Sequence, residues 1–236
     1  MARMGLNRRI EEITQEVLSM GSMAEEAVQR SVQSLKDQDM ALAQEVVEGD
    51  ERVDELEAAI EERCLQLIAL QQPMAKDLRL IGSLLKTVTD LERMADYATN
   101  IAERALWIGT QPLIKPLIDI PRMAEMALMM VKESLDAFVR GDVALAEKVC
   151  RDDEPVDALY SALFEELVGF IRKGGDTQRA LQAVSLLFAA RYLERIADHA
   201  TNIAERVIFV VTGERVPHQL KQGTSPGPPK GSPTSS

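Results

Sequence analysis

The sequence predicts an all-α protein: six helices forming two tandem antiparallel three-helix bundles, built by internal duplication and followed by a disordered C-terminal tail. Three observations predict it. Hydrophobic residues make up 46% of the 236-residue chain but aromatics only 4%, a balance that suits helix packed on helix better than a β-sandwich. The fourteen-residue phrase LERMADYATNIAER (91–104) returns as LERIADHATNIAER (193–206), with twelve letters unchanged and a spacing of 102 residues. Other matches keep the same order and a similar spacing. MAEEA at 23–27 answers MAEMA at 123–127, and Asp50-Glu51-Arg52-Val53-Asp54 answers Asp153-Glu154-Pro155-Val156-Asp157. One unit of roughly a hundred residues has been copied.

The helices follow from local punctuation. In the first unit, residues 1–110, a polar break at Asp37-Gln38-Asp39 separates helix one (6–36) from helix two (39–71). Pro73 separates helix two from helix three (75–109), because proline neither donates a backbone bond nor tolerates a helical residue before it. The join runs from Thr110-Gln111-Pro112 through Pro116 and Pro121. In the second unit, residues 111–212, Gly141-Asp142 and Gly174-Gly175-Asp176 mark the two turns. The last stretch, GERVPHQLKQGTSPGPPKGSPTSS (213–236), has too little apolar surface to fold and is expected to be disordered.

A formal charge of −11 argues against nucleic acid or an anionic membrane as partner, and favours cations or basic protein surfaces. Cys64 and Cys150 do not match in the repeat and read as small buried residues, not as a disulfide framework. MARMGLNRRIEEITQ has no apolar signal region, and no stretch is apolar enough to span a bilayer, so a cytoplasmic location is expected.

The chemistry-bearing feature is acidic. Glu92 and Asp96 stand one helical turn apart, as do Glu194 and Asp198. At about 100° per residue, Glu92, Asp96 and Glu103 continue a stripe that earlier turns fill with Leu78 and Leu85, so they border the seam between helices. In the second unit Ala180 and Leu187 precede Glu194, Asp198 and Glu205 in the same way. On helix two, Asp50 and Asp54 share a stripe with Val46, Val47, Leu67 and Ile68. Asp153 and Asp157 precede Tyr160 and Phe164 on the matching stripe. Glu57 and Glu61 stand where these aromatics stand, and so are not counted in the repeated site.

Height completes the picture. In an antiparallel hairpin, residues equidistant from the turn come level. Asp50 with Asp96, and Asp54 with Glu92, are centred on Pro73; Asp153 with Asp198, and Asp157 with Glu194, are centred on Gly175-Asp176. Each unit is therefore expected to gather four carboxylates. Like charges one turn apart repel, and partial burial raises the cost. Either some acids stay protonated or a cation sits among them, and a hard cation held by oxygen is the natural answer. Asn100 and Asn202, one turn further on, could add carbonyl oxygens, while Glu25 and Glu125 on helix one are second-rank candidates. Two plainer readings stand beside it: a salt-bridge network through Arg104, Arg206 or helix-one arginines, and a solvated acidic face. Arg93 and Arg195 adjoin the acids but their Cα–Cβ bonds diverge by about a quarter turn, so neutralisation within the helix is expected to be incomplete. Tyr97 and His199 replace one another in the repeat and are not expected to be shared ligands. Trp107 reads as a bundle-end packing residue.

The doubled acidic pairs, the phrase QQPMAKDLR at 71–79 and DLERMADYATNIAER resemble the PhoU family of bacterial phosphate-uptake regulators over nearly all of residues 1–212. QPMAKDLR has no good match in the second unit, and the tail lies outside the resemblance. The resemblance implies two three-helix bundles with multinuclear metal clusters, iron or zinc, with magnesium or manganese possible. Its ligands, carried over by position, are Asp50, Asp54, Glu92, Asp96, Asp153, Asp157, Glu194 and Asp198. It also implies a cytoplasmic negative regulator linking a phosphate ABC transporter, through its ATPase subunit, to a sensor histidine kinase. Membrane association would then come only through partners, and a homodimer is expected, with no residues marking its interface.

Two other functions compete. A di-metal carboxylate oxidase or hydrolase would want Glu-x-x-His motifs, whereas only His199 and His218 are present and neither follows a glutamate by three. No Cys-His or Ser-His pattern offers a nucleophile. The other is a purely structural or membrane-curving bundle, whose membrane version would want a basic stripe that the chain lacks.

Overall fold

A computed structural model describes residues 2–172, 174 and 176–214; the part of the expected tail beyond Glu214 lies outside the described residues. Among these, all regular structure is helical: α1 (Ala2–Asp37), α2 (Met40–Glu48), α3 (Glu51–Gln71), α4 (Lys76–Ile108), α5 (Asp119–Arg140), α6 (Val143–Arg172) and α7 (Thr177–Thr212).

The turns form where the punctuation demands, by matching devices. Gln38 takes a left-handed conformation (φ 54°) and Asp39 caps α2, accepting from the Leu42 N–H at 3.0 Å. In the second unit Gly141 is left-handed (φ 63°) and Asp142 accepts from the Leu145 N–H, again at 3.0 Å. Glycine adopts that conformation freely, whereas glutamine needs compensation. Gln38 finds it in its side chain, whose Nε2 donates to the carbonyls of Gly109 and Gln111, each at 2.7 Å, tying this turn to the join between units. Gln182, 3% exposed on α7, grips the same join by accepting from the Ile114 N–H and donating to the Pro112 carbonyl.

The expected second helix is not continuous. It breaks at Gly49-Asp50, where the Gly49 N–H is shared between the carbonyls of Glu45 (3.1 Å) and Val46 (3.2 Å), although both residues keep right-handed helical dihedrals. Glycine costs about 1 kcal/mol in a helix interior, which explains why this copy yields. The second copy has Asp152 in that place, and α6 runs through despite Pro155.

The two units share one core. α1, α2, α3 and α4 pack together, as do α5, α6 and α7, and α4 also lies along α7 and α1 along α5. The buried faces of α4 and α7 are rich in alanine (Ala95, Ala98, Ala102 and Ala105; Ala190, Ala197, Ala200 and Ala204), and small side chains let helices approach closely. Between α1 and α5, Leu135 packs over Gly21: a methyl group added there would run into Leu135 Cδ1.

The seam also carries buried polar groups. Asp90 of α4, 5% exposed, pairs with Arg206 of α7 and lies 2.7 Å from His199 Nδ1. Tyr97 stacks on Tyr192 at 5.7 Å and meets the His199 ring at 5.7 Å. Both cysteines are free thiols, pushed up to about 11 by burial. Trp107 stands in the last turn of α4, as a bundle-end residue would, and is 45% exposed. Among the described residues no helix is long and apolar enough to cross a membrane.

Candidate metal centres

Each hairpin of helices brings its acids together. In the first unit the charge of Asp96 acts on Asp50 and that of Asp54 on Glu92, the two pairs that should come level. In the second unit Asp198 acts on Asp153 and Asp157 on Glu194. The level pairs are neighbours in both copies because the turn at each hairpin's end keeps the two helices in step.

Burial then sets their protonation. Burial first, and like charge second, raise Glu92, Asp153 and Glu194 to about 7. Asp50, Asp157 and Asp198 are also raised, burial again being the leading cause. The Glu92 and Glu194 side chains are only 14% and 11% exposed, while those of Asp96 and Asp198 are 32% and 41% exposed. Among the described residues, three carboxylate oxygens are buried without a hydrogen-bond partner: Glu92 Oε2, Asp153 Oδ1 and Glu194 Oε2. Buried acceptors without donors are costly, and an oxygen-seeking cation is one group that satisfies them. As they stand, however, no three His, Cys, Asp or Glu side chains among the described residues converge closely enough to hold one ion. The acids are gathered without being closed on a common centre.

The arginines reach further than their Cα–Cβ directions suggest. Arg93 lies 3.3 Å from Glu92 Oε2, without hydrogen-bond geometry, and donates to Asp96 Oδ2 at 2.9 Å. Arg195 lies 3.7 Å from Asp198. A long flexible stem lets the guanidinium fold back over a neighbouring turn. Arg104 turns to Glu103 at 3.5 Å, and Arg206 turns to Asp90, away from both clusters.

The weaker candidates separate. Asn100 donates to the Asp96 carbonyl at 2.8 Å, and Asn202 is half-buried one turn beyond Asp198. Glu25 finds its charged neighbours in Lys132 and Asp136 of α5 instead of the acidic pairs, and Glu125 is exposed.

Sequence reasoning passed over two participants. Glu57, one turn beyond Asp54, acts on Glu92, and it is raised by burial while within hydrogen-bonding reach of Thr89. Arg191, one turn before Glu194, pairs with it and lies 5.6 Å from the centre of the Tyr160 ring. Helical spacing alone marks both. Requiring a match in the other copy hid them, since Glu57 corresponds to Tyr160 and Arg191 to Thr89.

Known proteins place this arrangement in context. The sequence model of the PhoU domain matches residues 17–105 and again 120–207. The chain is 43% identical over 216 residues to a phosphate-specific transport system accessory protein PhoU homolog of Aquifex aeolicus, covering 92% of this chain and 97% of that one. It is 39% identical over 215 residues to the corresponding homolog of Pseudomonas aeruginosa, covering 90% and 87%. The crystal structure of PhoU from Pseudomonas aeruginosa superposes with a TM-score of 0.84 at 38% identity, covering 88% of this chain and 99% of that one. The phosphate transport system regulatory protein PhoU from Streptococcus pneumoniae superposes at 0.83 and 28% identity, covering 90% and 99%.

Proposed function

The chain belongs to the PhoU family, and from that premise we propose that it is a metal-binding, non-enzymatic regulator that serves as accessory to a phosphate transport system. Its relatives carry that accessory role in their names. Docking to the ATPase subunit of a phosphate ABC transporter and to a linked sensor histidine kinase, with negative control of both, is the finer form of this reading, in the cytoplasm and as a homodimer.

The observation that carries the metal part is that the matching Glu92 and Glu194 each bury a carboxylate oxygen with no hydrogen-bond partner, joined in the second copy by Asp153. Asp50, Asp54, Glu92 and Asp96 would hold one centre, and Asp153, Asp157, Glu194 and Asp198 the other. The donor set is all carboxylate, which by its own chemistry suits a hard cation such as magnesium or manganese, while the family resemblance points to iron or zinc. A bound ion supplies positive charge that keeps these acids ionised at neutral pH. The chain's own residues orient the carboxylates and hold the hairpin helices at fixed spacing, and with no nucleophile arranged beside them the clusters are suited to docking partners.

Elemental analysis of the purified protein tests the assignment. Wild type should carry metal, and Asp96→Ala combined with Asp198→Ala should lose most of it while remaining helical. Unchanged metal content in that double variant would reject these residues as ligands. Co-purification with the transporter ATPase subunit tests the docking reading separately, and turnover of an oxidisable or phosphorylated substrate by the loaded protein would favour the enzyme alternative.

A further inference from the structure

Resting on the docking reading above, we infer that a partner protein docks through an amphipathic helix in the outer valley between α4 and α7. It covers the end marked by Trp107, Leu181, Val184 and Phe188, and sets a carboxylate of its own against Arg104.

Along α7, Leu181, Val184 and Phe188 recur at three- and four-residue spacing and are between 36% and 47% exposed, a stripe open to water on the side away from α1 and α5. Phe188 stacks on Tyr192 with ring centres 6.2 Å apart, and Tyr192 stacks on Tyr97, which carries the apolar surface across to α4. The two helices run antiparallel, with Tyr97 beside Tyr192 and Asp90 beside His199. In that register Trp107, the chain's one tryptophan, comes level with the turn of α7 from Leu181 to Val184. It stands about 80° around α4 from Tyr97. Four of the chain's nine Phe, Tyr and Trp residues thus gather at one end of one seam. Together with arginine, these are the residue types that dominate binding energy at protein interfaces.

The other end of the same valley shows that folding does not require this surface. There Arg79 matches Leu181, Gly82 matches Val184, Lys86 matches Phe188 and Asp90 matches Tyr192, while Phe209, matching Trp107, is half-buried. The same helix position is filled by charge or glycine in one copy and by exposed apolar side chains in the other. Contiguous apolar surface of this kind marks a place that another molecule covers.

Charge indicates what the occupant brings. Arg206 finds its counter-charge within the chain, in the buried Asp90. Arg104 stands at the position matching Arg206, but Tyr192 occupies the position matching Asp90, so α7 offers it no equivalent acid. Its Nε is buried without a partner, and its Nη2 lies 3.5 Å from the adjacent Glu103. A carboxylate from outside would rebuild here the pair that Asp90 makes with Arg206 at the other end. A helix suits the valley, because a third helix laid along two antiparallel ones completes a three-helix arrangement. Leu181 to Tyr192 spans three turns, about 16 Å, which matches anchors at i, i+3 or i+4, and i+7.

The test titrates the full chain against two probes, the purified transporter ATPase subunit and the detergent-solubilised sensor kinase, with thermal melting as the control for folding. Phe188→Glu and Trp107→Ala should each weaken at least one probe on the order of thirtyfold, the loss typical of an aromatic anchor. Arg104→Glu should weaken the same probe about tenfold or more, and Lys86→Glu at the matching polar end should change it less than about threefold. A benzophenone photo-crosslinker in place of Val184 should capture a helical segment of that probe with an acid beside its apolar residues. Reversing that acid to arginine should restore binding to the Arg104→Glu variant. Undiminished binding of both probes by folded Phe188→Glu and Trp107→Ala would overturn the inference while leaving docking in place. So would capture of a loop or strand, or of a second copy of this chain. Failure of the folded wild type to bind either probe would instead remove the docking reading, and the inference with it.

Discussion

The acids of the two units occupy matching positions, yet their surroundings differ. In the first, the Thr99 hydroxyl lies within hydrogen-bonding reach of Asp50, and Asp54 is exposed. In the second, the matching Asp153 Oδ1 and Thr201 Oγ1 are both buried and both without a partner. The backbone diverges too, with helix two broken at Gly49-Asp50 in one copy and carrying Pro155 inside a continuous α6 in the other. Duplication has kept the placement of the carboxylates and released what supports them. Where a carboxylate sits is set by helical period and hairpin register, which a single substitution does not disturb. How it is neutralised depends on one or two neighbours, which a single substitution replaces.

The largest expected asymmetry lies at the seam. Arg206→Ala leaves Asp90 buried without its guanidinium and should cost about 3–5 kcal/mol by chemical denaturation, the usual penalty for an abandoned buried charge. The matching Arg104→Ala removes a half-exposed pair with Glu103 and should cost no more than about 1 kcal/mol. Similar losses at both positions would mean that the seam is more symmetric than its contacts imply.

The acidic clusters should make the metal-free protein less stable as pH rises. Glu92, Asp153 and Glu194 are raised to about 7 in the folded chain, so the folded state holds their protons where the unfolded chain has released them. The stability they contribute is present below the ordinary carboxylate range and is lost as pH climbs through 7. Melting in chelator between pH 5 and 8 should show that slope. Asp153→Asn with Glu194→Gln should flatten it more than Glu92→Gln does, since two of the three groups belong to the second cluster.

At the capped turns the copies should behave alike. Asp39→Ala and Asp142→Ala each remove one side-chain bond to a helix-opening N–H and should each cost about 1 kcal/mol. The smallest contrast is between threonines. Thr99→Val deprives Asp50 of a donor and should cost about 1 kcal/mol, whereas Thr201→Val removes a hydroxyl with no partner and should be neutral or slightly stabilising. Equal effects would place a partner on Thr201.

Turns and acid placement were legible in the chain because both are local. Asp39, Pro73, Gly141 and Asp176 stop or start helices here through local bonds and dihedrals, and the level pairs follow once the turns are known. Reading Arg93 by its Cα–Cβ direction failed because a long side chain explores more than its first bond. Glu57 and Arg191 were hidden by the very repeat that exposed the other acids. The Asp90–His199–Arg206 contact could not be read at all: it joins positions 109 and 116 residues apart whose counterparts, Tyr192, Tyr97 and Arg104, give no hint of it. The break at Gly49 is a lesser omission, since a lone glycine within an otherwise good helical pattern seldom stops it.

A half-length ancestor folded from one copy would have presented one face of its long third helix bare to water. Two such chains, set about a twofold axis, would have covered that face with each other, as α4 and α7 now do within one polypeptide. Asp90 with Arg206 has no mirror-image pair, since the counterpart positions hold Tyr192 and Arg104, so this contact breaks the symmetry of the two halves. Cutting today's chain at the proline-rich join should therefore not restore two independent proteins, but two fragments that find each other again.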